Sequence, residues 1–373
     1  MSQLHVPFRF DYVGSFLRPE DLRAARQAFQ AGQISADALK EKEDQAITEL
    51  VKKQKAAGYH VITDGEFRRQ AWHLDFMWGF RGVGHQATKT GLPFAGEQAM
   101  IDDTYLTGKI SVGHHPFVDH FRFIKQFEDE NTIAKQTIPA PAQFLAQMTM
   151  PFAWKNTSRF YSSPEEVATD IAAGYQKVIR ELYDAGCRNL QFDDCTWGML
   201  VDPHAEAFFG TDQKGLDKVK VLYLAVNNAA LEGRPADLTV STHVCRGNYH
   251  STFASRGAYD EVAAYLLSRE NVDAFYLEYD DARSGGFEPL KLVPENKRVV
   301  LGLITTKRPE LEDPDAIKKR IRQAACFLPL DLLCLSPQCG FASCEIGNKL
   351  TDAEQWAKLK LVRDIALDVW KEH

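Results

Sequence analysis

His243 and Cys245 stand one residue apart at the end of the apolar run LTVSTHVC, residues 238–245. In a β-strand, residues i and i+2 point to the same side. An imidazole and a thiol would then face one point in space, the arrangement a metal ion asks for. The pair also fits a plainer reading, a small buried thiol beside a core histidine. What separates the two is whether further ligands reach the same place. Cys339 ends the run DLLCLSPQC and Glu278 lies near the end of VDAFYLEY. Two thiolates, an imidazole and a carboxylate match Zn²⁺ in softness and in tetrahedral number. Glu278 is the best carboxylate candidate. Cys344 competes less well from the following loop, and Cys195, at the end of RNLQFDDC, lines the same rim. Cys334 and Cys326 read as core residues, and His114, His115 and His120 as a solvated surface.

These residues can meet only if the chain brings the run ends together. Apolar segments at 9–16, 59–66, 136–144, 188–194, 238–245, 272–279, 298–306 and 331–339 read as strands, most of them separated by helical stretches. The helix 164–185 is well marked, with Ser163 and Glu166 as a capping box, Pro164 at its first position and Gly186 closing it. Strands buried on both faces and alternating with helices predict a parallel sheet. Eight such units predict an α/β protein of the (β/α)8 TIM-barrel type, whose active site lies at the C-terminal ends of the strands. VGSFLRP after the first strand is no Gly-rich dinucleotide loop. Residues 67–135 break the alternation and read as a long insertion after strand two, within a single unit spanning 1–373.

Composition narrows the partners. A net charge of −7 argues against a nucleic-acid groove or an anionic membrane surface. No apolar run approaches the roughly 18 residues of a membrane span. Seven scattered cysteines and no basic-then-apolar N-terminus point to reduced thiols in the cytoplasm.

With these motifs in order, the chain resembles the C-terminal catalytic barrel of cobalamin-independent methionine synthase, from DYVGSF to LSPQCG. The family's His-x-Cys pair, next-strand Glu and Cys in an N/S-P-x-C-G turn fall on His243, Cys245, Glu278 and Cys339. Its I/V-G-S turn, which holds the backbone groups of homocysteine, falls on Val13-Gly14-Ser15. Its H/D-G-E glutamate falls on Glu66, and its Q-I-D-E aspartate on Asp193.

The resemblance implies a zinc-dependent methyltransferase that delivers a methyl group to homocysteine from methyl-tetrahydrofolate or another carrier. A free thiol with pKa near 8.5 is mostly protonated at pH 7, a deficit of roughly 2 kcal/mol that Zn²⁺ coordination removes. Catalytic zinc needs an open position, and the carboxylate of Glu278 is the ligand expected to yield. Three departures accompany the match. The chain leaves no room for the second, N-terminal barrel of the complete synthase. Lys307 in ITTKRPE occupies the position of the family's proton-donating His, so it is the proton-donor candidate. The family's folate-stacking Trp has no clear counterpart, Trp154 being near the position. Methyl transfer to a different small thiol, or a non-catalytic zinc-bearing homocysteine-binding protein, are the alternatives.

Overall fold

The computed structural model describes residues 4–371, so the outermost residues of the expected 1–373 unit lie outside the described residues. In chain order the strands are β1 (Val61–Ile62), β2 (Arg81–Gln86), β3 (Leu92–Phe94), β4 (Glu97–Ala99), β5 (Asp103–Ser111) and β6 (Ile133–Ala134). They continue with β7 (Gln136–Pro139), β8 (Asn189–Asp194), β9 (Thr239–Val244), β10 (Ala274–Glu278), β11 (Arg298–Ile304) and β12 (Leu333–Pro337). β7 to β12 form one six-stranded parallel sheet in sequential order. Every residue of β8, β10 and β12 is buried, as strands covered on both faces must be. Among the described residues no helix is long and apolar enough to cross a membrane.

Among the described residues, six of the eight segments expected to build the barrel pair in one sheet. The first segment touches the sheet at one bridge, Phe10 to Leu335, with the Asp11 amide donating to the Leu335 carbonyl at 3.0 Å. β1 pairs in parallel with β6, apart from the main sheet. Side chains explain the interruption. Gln54, fully buried on the helix Ala36–Ala56, donates to the Thr63 carbonyl and accepts from the Thr63 amide, both at 2.8 Å. An amide side chain thus takes the backbone groups that a ladder would otherwise pair.

Other boundaries shift for local reasons. The helical stretch between the first two strand segments is two helices, Glu20–Gln30 and Ala36–Ala56, with Ser35 capping the second. The expected strand 136–144 stops at Pro139, because Pro141 opens the helix Pro141–Thr149. Ser163 caps the helix Pro164–Asp184 through the Glu166 amide, whereas the Glu166 carboxylate reaches back to Ser162 rather than Ser163. The stretch 67–135 holds the antiparallel pairs β2–β5 and β3–β4 and the helix Pro116–Lys125, and its last residues join the parallel pairing with β1.

Candidate metal centre and its carboxylate neighbours

His243 lies in β9 and Cys245 follows its last residue, so the two-residue strand period turns both toward the same side. Cys339 arrives from the turn after β12. One ligand atom from each of His243, Cys245 and Cys339 lies within 4.8 Å of the other two, and all three residues are buried. Neither ring nitrogen of His243 has a hydrogen-bond partner. A buried imidazole with both nitrogens idle beside two thiols is a donor set that fits a soft divalent cation. The turn that delivers Cys339 depends on Gly340, where a Cβ would stand 1.9 Å from the Ser15 hydroxyl. Its carbonyl accepts from Asn248 Nδ2 at 2.8 Å and from the Thr306 hydroxyl at 3.0 Å. Asn348 in turn donates to Asn248 at 3.1 Å. Sequence reasoning missed this amide brace. Its only trace is Asn248 three residues beyond Cys245.

The sequence-predicted fourth ligand does not join the three. Glu278 is fully buried, with one carboxylate oxygen accepting from the Arg246 amide at 2.9 Å and the other from Arg283 Nη2 at 2.5 Å. Burial works to raise its pKa, but the charges of Lys307 and Arg283 prevail and hold it below the usual value. Lys307 therefore faces Glu278 and Asp280, and its Nζ is buried without a hydrogen-bond partner. It does not line the cavity at the three ligands.

That cavity is also lined by Val13, Ser15, Glu66, Trp72 and Asp193. Gly14, beside them, has φ +148°, and a Cβ there would come within 2.8 Å of the Thr137 methyl. Glu66 itself sits in left-handed backbone at φ +61°, a strain of order 1–3 kcal/mol that turns its side chain inward. One of its oxygens meets Arg69 at 3.1 Å and the Thr137 hydroxyl at 2.8 Å, and the other has no partner. Asp193 accepts from Gln191 Nε2 at 2.7 Å. Burial raises both carboxyl pKa values, and the Glu66 charge adds to the rise at Asp193. The charges of Arg69 and Arg18 at Glu66, and of Arg69 and Lys135 at Asp193, oppose the rise without cancelling it.

The remaining expectations divide. Cys334 is buried within β12, whereas Cys326 is exposed rather than in the core, because it lies beyond the end of the helix Pro314–Ala324. Cys344 is buried outside the ligand group. Cys195 does line the cavity, its sulfur 3.3 Å from that of Cys245. The histidine cluster is not a uniformly solvated surface. His114 is exposed, but His115 is buried as the cap of the helix Pro116–Lys125, and burial pulls its pKa down to about 4. Trp154 sits on the helix Pro151–Thr157, away from the cavity lining, where Trp72 is found instead.

Residues 10–90 and 129–367 match the family model described as the cobalamin-independent synthase, catalytic domain. The unmatched stretch between them carries β3, β4 and β5. The chain is 43% identical to the uncharacterized protein YxjH of Bacillus subtilis, over 99% of this chain and 97% of that one. It is 24% identical to a methionine synthase of Sulfurisphaera tokodaii, over 88% and 84% of the two chains. A candidate vitamin-B12-independent methionine synthase from Listeria monocytogenes superposes with a TM-score of 0.78 at 37% identity, covering 99% of this chain and all of that one.

Proposed function

The chain belongs to the cobalamin-independent methionine synthase family, and on that premise we propose that it transfers a methyl group to the thiol of homocysteine, giving methionine, with one zinc ion held by His243, Cys245 and Cys339. The observation that carries this reading is a single cavity lined both by the three soft donors and by the carboxyls of Glu66 and Asp193. We read the eight parallel segments as the staves of a closed (β/α)8 barrel, which the Phe10–Leu335 bridge supports.

When bound, zinc supplies the lowered thiol pKa that makes the acceptor sulfur a nucleophile at neutral pH. The chain's residues do the rest. Glu66, one of whose oxygens has no partner, and Asp193 take the substrate ammonium. The backbone at Gly14 and Ser15 takes its carboxylate. Glu278 is the exchangeable fourth ligand. Its carboxylate is held by Arg283 and the Arg246 amide, so it would be the donor most readily left off the ion when a substrate thiol is present. Lys307, idle at Nζ and facing Glu278, is the proton donor. The methyl donor is a methyl-tetrahydrofolate or another methyl carrier.

Zinc content with zinc-edge X-ray absorption tests the reading. One zinc per chain is expected, gaining one sulfur neighbour when homocysteine is added. An absent zinc, or a shell that ignores homocysteine, overturns it. Asp193→Ala separates the two halves. It removes one of two charges on the ammonium, worth about 1.5–3 kcal/mol for a charge-assisted hydrogen bond, so the homocysteine KM should rise roughly 10-fold to 150-fold. Zinc should stay bound, and its loss from this variant would make Asp193 part of the metal centre.

A further inference from the structure

Cys195 has no part in the donor set, yet its sulfur lies 3.3 Å from that of Cys245. The backbone makes the approach structural rather than accidental. β8 and β9 are parallel neighbours in a register that ends with Asp194 opposite Val244, so the next residues, Cys195 and Cys245, face each other across the sheet. The Cys245 amide donates to the Asp194 carbonyl at 3.4 Å, and the Cys195 amide to Gln143 Oε1 at 3.3 Å, which hold the two in place. Neighbouring strands run about 4.8 Å apart. That spacing falls inside the roughly 4.4–6.8 Å Cα separation a disulfide needs. Cys195 is half-buried and Cys245 buried, so an oxidant in the cavity meets Cys195 first.

We propose that Cys195 and Cys245 form a reversible disulfide under peroxide, and that the bond withdraws Cys245 from the metal centre. The cross-link itself stands on the two sulfurs, while its effect on zinc rests on the function proposed above. The Cys195 sulfur attacks one oxygen of hydrogen peroxide, the O–O bond breaks, the thiol proton goes to the departing hydroxide, and a sulfenic acid forms with release of water. The Cys245 sulfur then attacks the sulfenyl sulfur. The S–S bond forms as the S–O bond breaks, and the oxygen leaves as a second water. Two thiols lose two electrons and two protons, and one peroxide takes them. The donor set falls to His243 and Cys339, too few for a tetrahedral zinc site. A dithiol reductant returns both thiols by exchange.

The test exposes the full-length protein, zinc-loaded and metal-free, to a small excess of hydrogen peroxide. Released zinc is followed with a chromophoric chelator, and non-reduced proteolytic peptides are mapped by mass. A peptide pair joining Cys195 to Cys245 is expected in both forms, lighter by two hydrogens than the separate peptides and split by dithiothreitol. Zinc release is expected from the wild type, to be strongly suppressed in C195S and C195A, and to be unchanged in C326S, which lacks only the exposed cysteine. Absence of the joined pair overturns the proposal, as does zinc release from C195S at the wild-type rate. A protein that never binds zinc would refute the proposed function, while the peptide map of the metal-free form would still decide the cross-link.

Discussion

Cys339→Ser is expected to leave the protein folded but without zinc and without methyl transfer. A hydroxyl fills nearly the space of a thiol, and the turn that carries residue 339 is held by other groups. The Gln338 amide donates to the Ile304 carbonyl at 2.8 Å, and Asn248 and Thr306 both hold the Gly340 carbonyl. The fold therefore has little to lose. The metal has much more to lose. Structural zinc sites bind with about 10–16 kcal/mol over four ligands. One thiolate of the set is then worth about 3 kcal/mol or more, a weakening beyond 100-fold. Glu278 does not fill the gap easily, because its carboxylate would first have to leave Arg283 and the Arg246 amide. Metal analysis after dialysis, circular dichroism and a methyl-transfer assay check the three parts separately. A zinc-loaded, active C339S protein would sink the ligand assignment.

Lys135→Met is expected to cost about 3–5 kcal/mol of stability. The Lys135 ammonium meets Asp11 Oδ1 at 2.9 Å with both side chains wholly buried. It also donates to the Tyr12 carbonyl and to Gln191 Oε1. Asp11 accepts from the Tyr276 hydroxyl at 2.9 Å, so the pair ties β10 and the strand run through β6 and β7 to the first segment. Burial pulls the Lys135 pKa down, and the Asp11 charge opposes the shift. Methionine preserves the volume but leaves the Asp11 carboxylate buried with no cation. The measurement is the denaturant midpoint at unchanged slope. Adding Asp11→Asn to Lys135→Met should recover part of the loss, because the stranded charge goes with it. A shift under about 1 kcal/mol would show that the interior tolerates an unpaired Asp11. Gln191, freed from Lys135, is the residue that donates to Asp193. A weaker grip on the ammonium should therefore accompany the lost stability.

Much of this molecule was legible in its sequence because the governing spacings are short. A strand repeats every two residues, so His243 and Cys245 had to share a side wherever β9 ended up. Ser163, Pro164 and Gly186 marked their helix by chemistry within a turn of its ends. The order of apolar and helical runs predicted parallel strands, and six of them pair in sequence order. What lay beyond reach was each decision taken between distant groups. Which carboxylate stays beside the metal donors depends on Arg283 and Arg246, whose hold on Glu278 no local pattern announces. Whether the segments join in one ladder depends on Gln54, which takes the backbone groups of Thr63. Cys195 and Cys245 are fifty residues apart in the chain, and only the register of β8 on β9 puts their sulfurs in contact. Local periodicity places a side chain on a face. The partner it meets there is chosen by packing, where a buried charge or an idle hydrogen-bonding atom takes whatever the neighbouring element offers.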